Sequence, residues 1–188
     1  MKKTALLLMI VLPWIAIGQP GKVYTSIEEV QQPEEVYELR LRHKRLRAIP
    51  EEVYGYKNLR RLDVSHNRID SLPPTIGQLS NLEELTLSDN RLTALPMEMG
   101  LLGKLRVLEA DRNPLEMLPE EMGYLTSLEK IAVWSTHLYE LPETFENLDG
   151  TLHVLDLRSC RLSITDQEGI RRLLPTVKIL WDQACNCR

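Results

Sequence analysis

The side chains with the most reactive chemistry are few, and their spacing limits what they can do. His43 and His66 lie 23 residues apart, and Asp89 follows after another 23. Such a column suits a metal ion or a pH sensor. No further ligand stands at the fixed spacing of a zinc site, however, so a solvated polar face is the expectation. Cys185 and Cys187 are too close to bridge without strain. With the distant Cys160 they form a poor zinc signal; one tail cysteine folding back onto Cys160 would leave the other free. His153 and Asp156 have no Ser or Cys partner at a triad-like spacing. The sequence contains no nucleophile elbow, phosphate loop, H-E-x-x-H or paired catalytic carboxylates. The expectation is therefore no enzyme, no cofactor and no metal.

Recognition chemistry is what remains, and its residues fall into columns because the chain repeats. LRRLDVSHNRIDSLPPTIGQLSN from Leu59, LEELTLSDNRLTALPMEMGLLGK from Leu82 and LRVLEADRNPLEMLPEEMGYLTS from Leu105 are 23 residues each; LEKIAVWSTHLYELPETFENLDGT from Leu128 is 24. An irregular copy begins at Val36, with Lys44 where later copies have Asn and with Tyr54 and Tyr56 in place of Gly and Leu. A sixth begins at Leu152 and lacks the L-P step. Period-two alternation in each short strand sends Leu62/Val64, Leu85/Leu87, Leu108/Ala110, Ile131/Val133 and Leu155/Leu157 into a core. Positions three, five, seven and eight are left on the open sheet face. Trp134 stands out there, flanked by Asp111 and Arg158 and surrounded by Glu109, Arg112, Lys130 and Asp156. Aromatic and Arg side chains are the usual anchors of interfaces, so these residues are the expected partner-binding set. The alternative is a Trp lying flat over Ala132 and Val154. The first copy is basic: Arg40, Arg42, His43, Lys44, Arg45 and Arg47 crowd eight residues. Arg45, Arg68 and Arg91 make a further column, suited either to an anionic partner or to local ion pairs.

The pattern L-x-x-L-x-L-x-x-N-x-L followed by L-P resembles the leucine-rich repeat. The variant L-P-x-x-I-G-x-L, clearest at Leu72 to Leu79, is similar to repeats of plant Ras-group-related proteins, Scribble-type scaffolds and many bacterial proteins. The resemblance implies an α/β solenoid, curved, with a parallel concave sheet, short 3-10 or irregular convex segments and no catalytic activity. It also implies that Asn67, Asn90 and Asn113 form a buried ladder bonded to backbone. Thr136 and Cys160 occupy the same position and would continue it more weakly. Leu72-Pro73, Leu95-Pro96, Leu118-Pro119 and Leu141-Pro142 break the strand direction. Ser26 with Glu29 reads as the capping box of an N-terminal helix, and Thr165 with Glu168 as that of a helix in the last copy ending near Pro175. Val177 to Trp181 reads as a final strand. Cysteine-rich caps and N-x-[ST] sequons, usual in eukaryotic extracellular members, are absent.

Residues 1–18 follow a different logic. Lys2 and Lys3 precede a 13-residue apolar run from Ala5 to Ile17, with Ala16 and Gly18 before Gln19. That layout fits a secretory signal and falls short of a membrane span. The expected organisation is signal 1–18, linker and capping helix 19–35, six repeats over 36–176, and a terminal strand and polar tail over 177–188. A net charge of -4 gives no global attraction for nucleic acid. The expected product is a monomeric, exported protein-binding module of bacterial type, secreted or periplasmic. It would be cytoplasmic if the leader is not a signal. The rival functions are an inhibitor of an exported enzyme and a passive surface protein.

Overall fold

The computed structural model describes residues 21–182. The leader, the cleavage position and the tail cysteines lie outside the described residues. Eight strands form one parallel sheet in sequence order: β1 (Val23–Tyr24), β2 (Glu38–Arg40), β3 (Arg61–Asp63), β4 (Glu84–Thr86), β5 (Val107–Glu109), β6 (Lys130–Ala132), β7 (Val154–Asp156) and β8 (Lys178–Leu180). The register advances by one repeat at each step, so that Leu39, Leu62, Leu85, Leu108, Ile131, Leu155 and Ile179 stand side by side. Period-two alternation sends this row and the next inward, and Leu62, Val64, Leu85, Leu87, Leu108, Ala110, Ile131, Val133, Leu155 and Leu157 are all buried. Removing a leucine side chain from water contributes roughly 1.5–3 kcal/mol. One copy cannot enclose its own leucines, so the sheet and its core grow together by stacking.

Opposite the sheet the chain returns through 3-10 turns at Glu51–Gly55, Pro74–Gln78, Met97–Leu101, Glu120–Tyr124 and Glu143–Leu148. Each follows a proline held in extended conformation, Pro50, Pro73, Pro96, Pro119 or Pro142, which ends the inward loop and starts the turn. Three glycines allow these turns to stack. A Cβ on Gly77 would come within 2.9 Å of Leu101, one on Gly100 within 2.5 Å of Glu121, and one on Gly123 within 2.4 Å of the Thr144 carbonyl. Tyr54 holds the corresponding place in the first repeat and is buried. Ala48, Ile49, Tyr54, Leu72 and Pro73 there border a cleft of about 570 Å³ between the first and second returns.

The N-terminal end differs from the sequence expectation, and the C-terminal helix and strand form as expected but with another capping pair. No α-helix forms over residues 21–35. The first layer is closed by β1, a turn in which Val30 N–H donates to Ile27 O, and a short 3-10 helix, Pro33–Glu35. Glu29 accepts from the Thr25 amide at 3.3 Å and hydroxyl at 3.2 Å, so it caps a bend rather than a helix. Pro33 disfavours helical backbone at the residue before it, and the segment is too short to propagate. At the other end α1 (Ile164–Leu173) does form, but Ser163 and Asp166 cap it instead of Thr165 and Glu168. Ser163 N–H donates to Asp166 Oδ2 at 2.8 Å, and Asp166 N–H to Ser163 Oγ at 3.2 Å. These bonds hold the Asp166 carboxyl below its ordinary range. Two overlapping S/T-x-x-acid patterns were present, and the upstream pair starts the helix. Ile170 and Leu174 bury its inner side, and β8 follows beside β7.

Candidate interaction surfaces

An unusual backbone turn follows each of the strands β2 to β7. His43, His66, Asp89, Arg112, Ser135 and Ser159 all have φ between 53° and 59°. None is glycine, so each costs about 1 kcal/mol. Bonds to the next repeat hold the conformation: His66 N–H reaches Ser88 O at 2.9 Å, Asp89 N–H reaches Asp111 O at 3.0 Å, and Arg112 N–H reaches Trp134 O at 3.0 Å. The next residue points inward and builds the ladder. Asn90 Nδ2 donates to Leu87 O (2.9 Å) and Val64 O (3.1 Å), while its Oδ1 accepts from Ile69 N–H (3.0 Å). Asn67 and Asn113 repeat the arrangement. Thr136 Oγ1 donates to Val133 O at 2.8 Å and lies 3.3 Å from Cys160 Sγ, giving fewer bonds per residue. Burial pushes the Cys160 thiol pKa up, which disfavours the thiolate form.

This frame sets a shallow groove of about 460 Å³ on the strand face. Glu109, Asp111, Arg112, Lys130, Trp134, Asp156 and Arg158 all border it, so the fold brings together the whole set expected from sequence. Two members lie almost wholly beneath that face. Asp111 is 6% exposed and Asp156 5% exposed. Asp111 accepts from Ser88 Oγ at 2.6 Å and lies 3.5 Å from Arg112 Nε. Asp156 takes both arms of Arg158, at 2.9 and 2.6 Å, which raises the guanidinium pKa further. Both acids orient arginines from below. Period-two reasoning does not register this depth: Asp111 follows β5 at a place where Ser65 and Ser88 are buried too, and Asp156 ends β7 in register with buried Ala132.

Trp134 stays half-buried, with the Arg112 guanidinium 5.0 Å over its ring. Buried Ala132 floors the groove beside it, and Lys130 Nζ donates to Glu109 Oε1 at 2.7 Å. The opposite half of the face is ionic. Glu38 pairs with Arg40 and Arg61, and Arg61 also lies 3.1 Å from Glu84. Arg42 Nε meets Asp63 at 3.4 Å and Ser65 Oγ at 3.1 Å. The His43 and His66 rings stack at 4.4 Å, and His66 Nδ1 lies 2.8 Å from Asp89. Among the described residues, no group of three or more His, Cys, Asp or Glu could hold a metal ion, and no helix is long and apolar enough to cross a membrane.

The basic run of the first repeat is thus split. Arg40 and Arg42 turn onto the strand face and are paired with carboxylates, and His43 stacks on His66. Arg45 goes to the rim outside the ladder, beside Arg68 and Arg91. Sequence reasoning missed a second polar ladder at the repeat ends, where Asn58 donates to Glu34 O, Asn81 to Lys57 O and Ser127 to Gly103 O. Its signal was a polar residue 23 places apart. Exposed Met97, Leu101 and Tyr124 on the convex side were not foreseen either.

Residues 57–115 match a family model described as leucine rich repeat. No curated protein matches the sequence. The fold is similar to that of a Leptospira interrogans LRR protein, with TM-score 0.67, 30% identity, and coverage of 85% of this chain and 52% of that one. It is also similar to the plant peptide hormone receptor RGFR1, solved in complex with RGF2, with TM-score 0.63, 28% identity, and coverage of 76% of this chain and 24% of that one. The chain therefore spans about half the length of the first and a quarter of the second. With the repeat pattern, the in-register sheet and the asparagine ladder already in place, these matches make the chain a leucine-rich-repeat protein.

Proposed function

We propose that the chain is a non-catalytic protein-recognition module that binds through its strand face, with Trp134 as the anchor. The observation carrying this reading is the environment of that side chain. A half-buried indole stands beside a small apolar floor, Ala132, and its polar neighbours already have partners within the chain. A partner can cover the ring without leaving a bare charge behind, which is the costly event at an interface. A plant receptor of similar fold was solved with its peptide hormone, which agrees with the use of such surfaces for protein ligands. Export is part of the proposal: Lys2, Lys3 and the apolar run to Ile17 read as a signal cleaved before Gln19.

The test compares pull-downs from medium and envelope fractions using the parent, Trp134→Ala, and Tyr124→Ala on the opposite face. Loss of a partner with Trp134→Ala alone, at unchanged circular dichroism, supports the reading. A partner held equally by all three removes it. An unprocessed N-terminus on protein found only inside the cell would remove the export reading.

A further inference from the structure

We propose a second interaction surface, distinct from the strand face: the rim column Arg45, Arg68 and Arg91, which takes an acidic segment of a protein partner. The structure separates these arginines from most of the others; among the described residues Arg47, Arg161 and Arg171 also lack an ion pair, but they do not stand in one run of consecutive repeats. Arg40, Arg42, Arg61, Arg112 and Arg158 are each within ion-pair reach of a carboxylate, as are Arg60, Arg106 and Arg172 elsewhere. Arg45, Arg68 and Arg91 are exposed, and among the described residues none forms an ion pair or donates a side-chain hydrogen bond. Of the acids on this side of the chain, Asp70 accepts from Ser71 Oγ at 3.1 Å, and Asp89 lies 2.8 Å from His66 Nδ1 and 3.8 Å from Arg112 Nε.

The column is also rigidly mounted. Asn67 Oδ1 accepts from Lys44 N–H at 2.9 Å and Leu46 N–H at 3.1 Å, on either side of Arg45, whose φ is 59°. Arg68 N–H donates to Leu46 O and Arg91 N–H to Ile69 O, both at 2.8 Å. Three guanidiniums therefore leave a fixed backbone at the repeat spacing, about 4.8 Å per strand. The column stops there, since Pro114 and His137 take the next two places. A planar guanidinium pairs bidentately with carboxylate, phosphate or sulfate. The remaining charge chooses among them. The chain carries net charge -4, so a long polyanion is repelled by the molecule as a whole. A short acidic peptide senses only what lies within about 8 Å at physiological ionic strength, which is the rim.

The full chain is titrated into a fluorescein-labelled hexaglutamate peptide, followed by anisotropy at low and physiological ionic strength. Three arginines are changed together to glutamine at 45, 68 and 91. A charge-matched control changes Arg60, Arg106 and Arg172 to glutamine. The expected result is binding by the parent and the control, with affinity about tenfold lower in the rim variant and falling as salt rises. No binding at low ionic strength, or equal loss in both variants, overturns the proposal. Tighter binding of a single-stranded oligonucleotide or of anionic vesicles than of the peptide also overturns it. The strand-face reading is unaffected by these outcomes, because it depends on Trp134 and is tested by its own variant.

Discussion

Asn90→Ala measures what the inner ladder contributes. Asn90 is 8% exposed, and its side chain meets four backbone groups: Ile69 N–H, Val64 O, Leu87 O and, at 3.4 Å, Ser88 O. The carbonyls have second donors. Val64 O also accepts from Asn67 Nδ2 at 2.8 Å, Leu87 O from Asn113 Nδ2 at 3.0 Å, and Ser88 O from His66 N–H at 2.9 Å. Ile69 N–H has no such replacement. An orphaned buried donor costs about 1–3 kcal/mol, and the two shorter bonds lost with it contribute about 1 kcal/mol each. The expected loss is about 3–5 kcal/mol, a fall in Tm on the order of 10 °C for a chain of this size. Urea denaturation with an unchanged m-value is the assay. Asn81→Ala is the comparison, since Asn81 also bridges repeats but is partly exposed, donating to Lys57 O and accepting from Lys104 Nζ. It should cost no more than about 1 kcal/mol. If Asn90→Ala is as mild as Asn81→Ala, the ladder does not stabilise the solenoid as argued.

Tyr54 and the stacking glycines give two further expectations. The Tyr54 hydroxyl is buried with no partner among the described residues, and burial, reinforced by Glu51, pushes its pKa up to about 12 from 10.0. Below pH 10 it is protonated in both folded and unfolded chain; between about 10 and 12 the unfolded chain ionises first, so stability falls as pH rises, by about 2–3 kcal/mol. Tyr54→Phe should gain about 1 kcal/mol at neutral pH by removing the orphaned hydroxyl. It should also flatten the alkaline decline without abolishing it, because the Tyr56 pKa is raised too. A variant less stable than the parent, with the same alkaline slope, would contradict the geometry. Gly123→Ala places a methyl 2.4 Å from a backbone carbonyl that cannot turn aside, and should cost about 1–3 kcal/mol by denaturation. Gly103→Ala, where a Cβ meets nothing within 4 Å, should be close to neutral; equal costs would show that close approach is not the reason for the glycine.

Much of the fold was legible because each repeat copies the same constraint. Leu62 says little alone, but Leu85, Leu108, Ile131 and Leu155 at the same register can be satisfied together by a parallel sheet. The same repetition made the groove legible as a set, since Trp134, Arg158 and Lys130 had to fall on neighbouring strands. The ends were less legible because they lack a copy to compare with. Ser26 and Glu29 satisfy a helix rule locally, yet Pro33 and the edge of β2 favour a strand and a bend. Side-chain pairing was hidden for a different reason. Whether an arginine is free depends on which carboxylate lies one repeat away and on which way the left-handed turn tips it. Arg42 and Arg45 are three residues apart in one basic run, yet Arg42 meets Asp63 while Arg45 stands on the rim. A charge run in a solenoid is therefore two surfaces interleaved. Substituting the run as a block would mix the loss of internal pairs with the loss of a binding edge; substituting column by column keeps them apart.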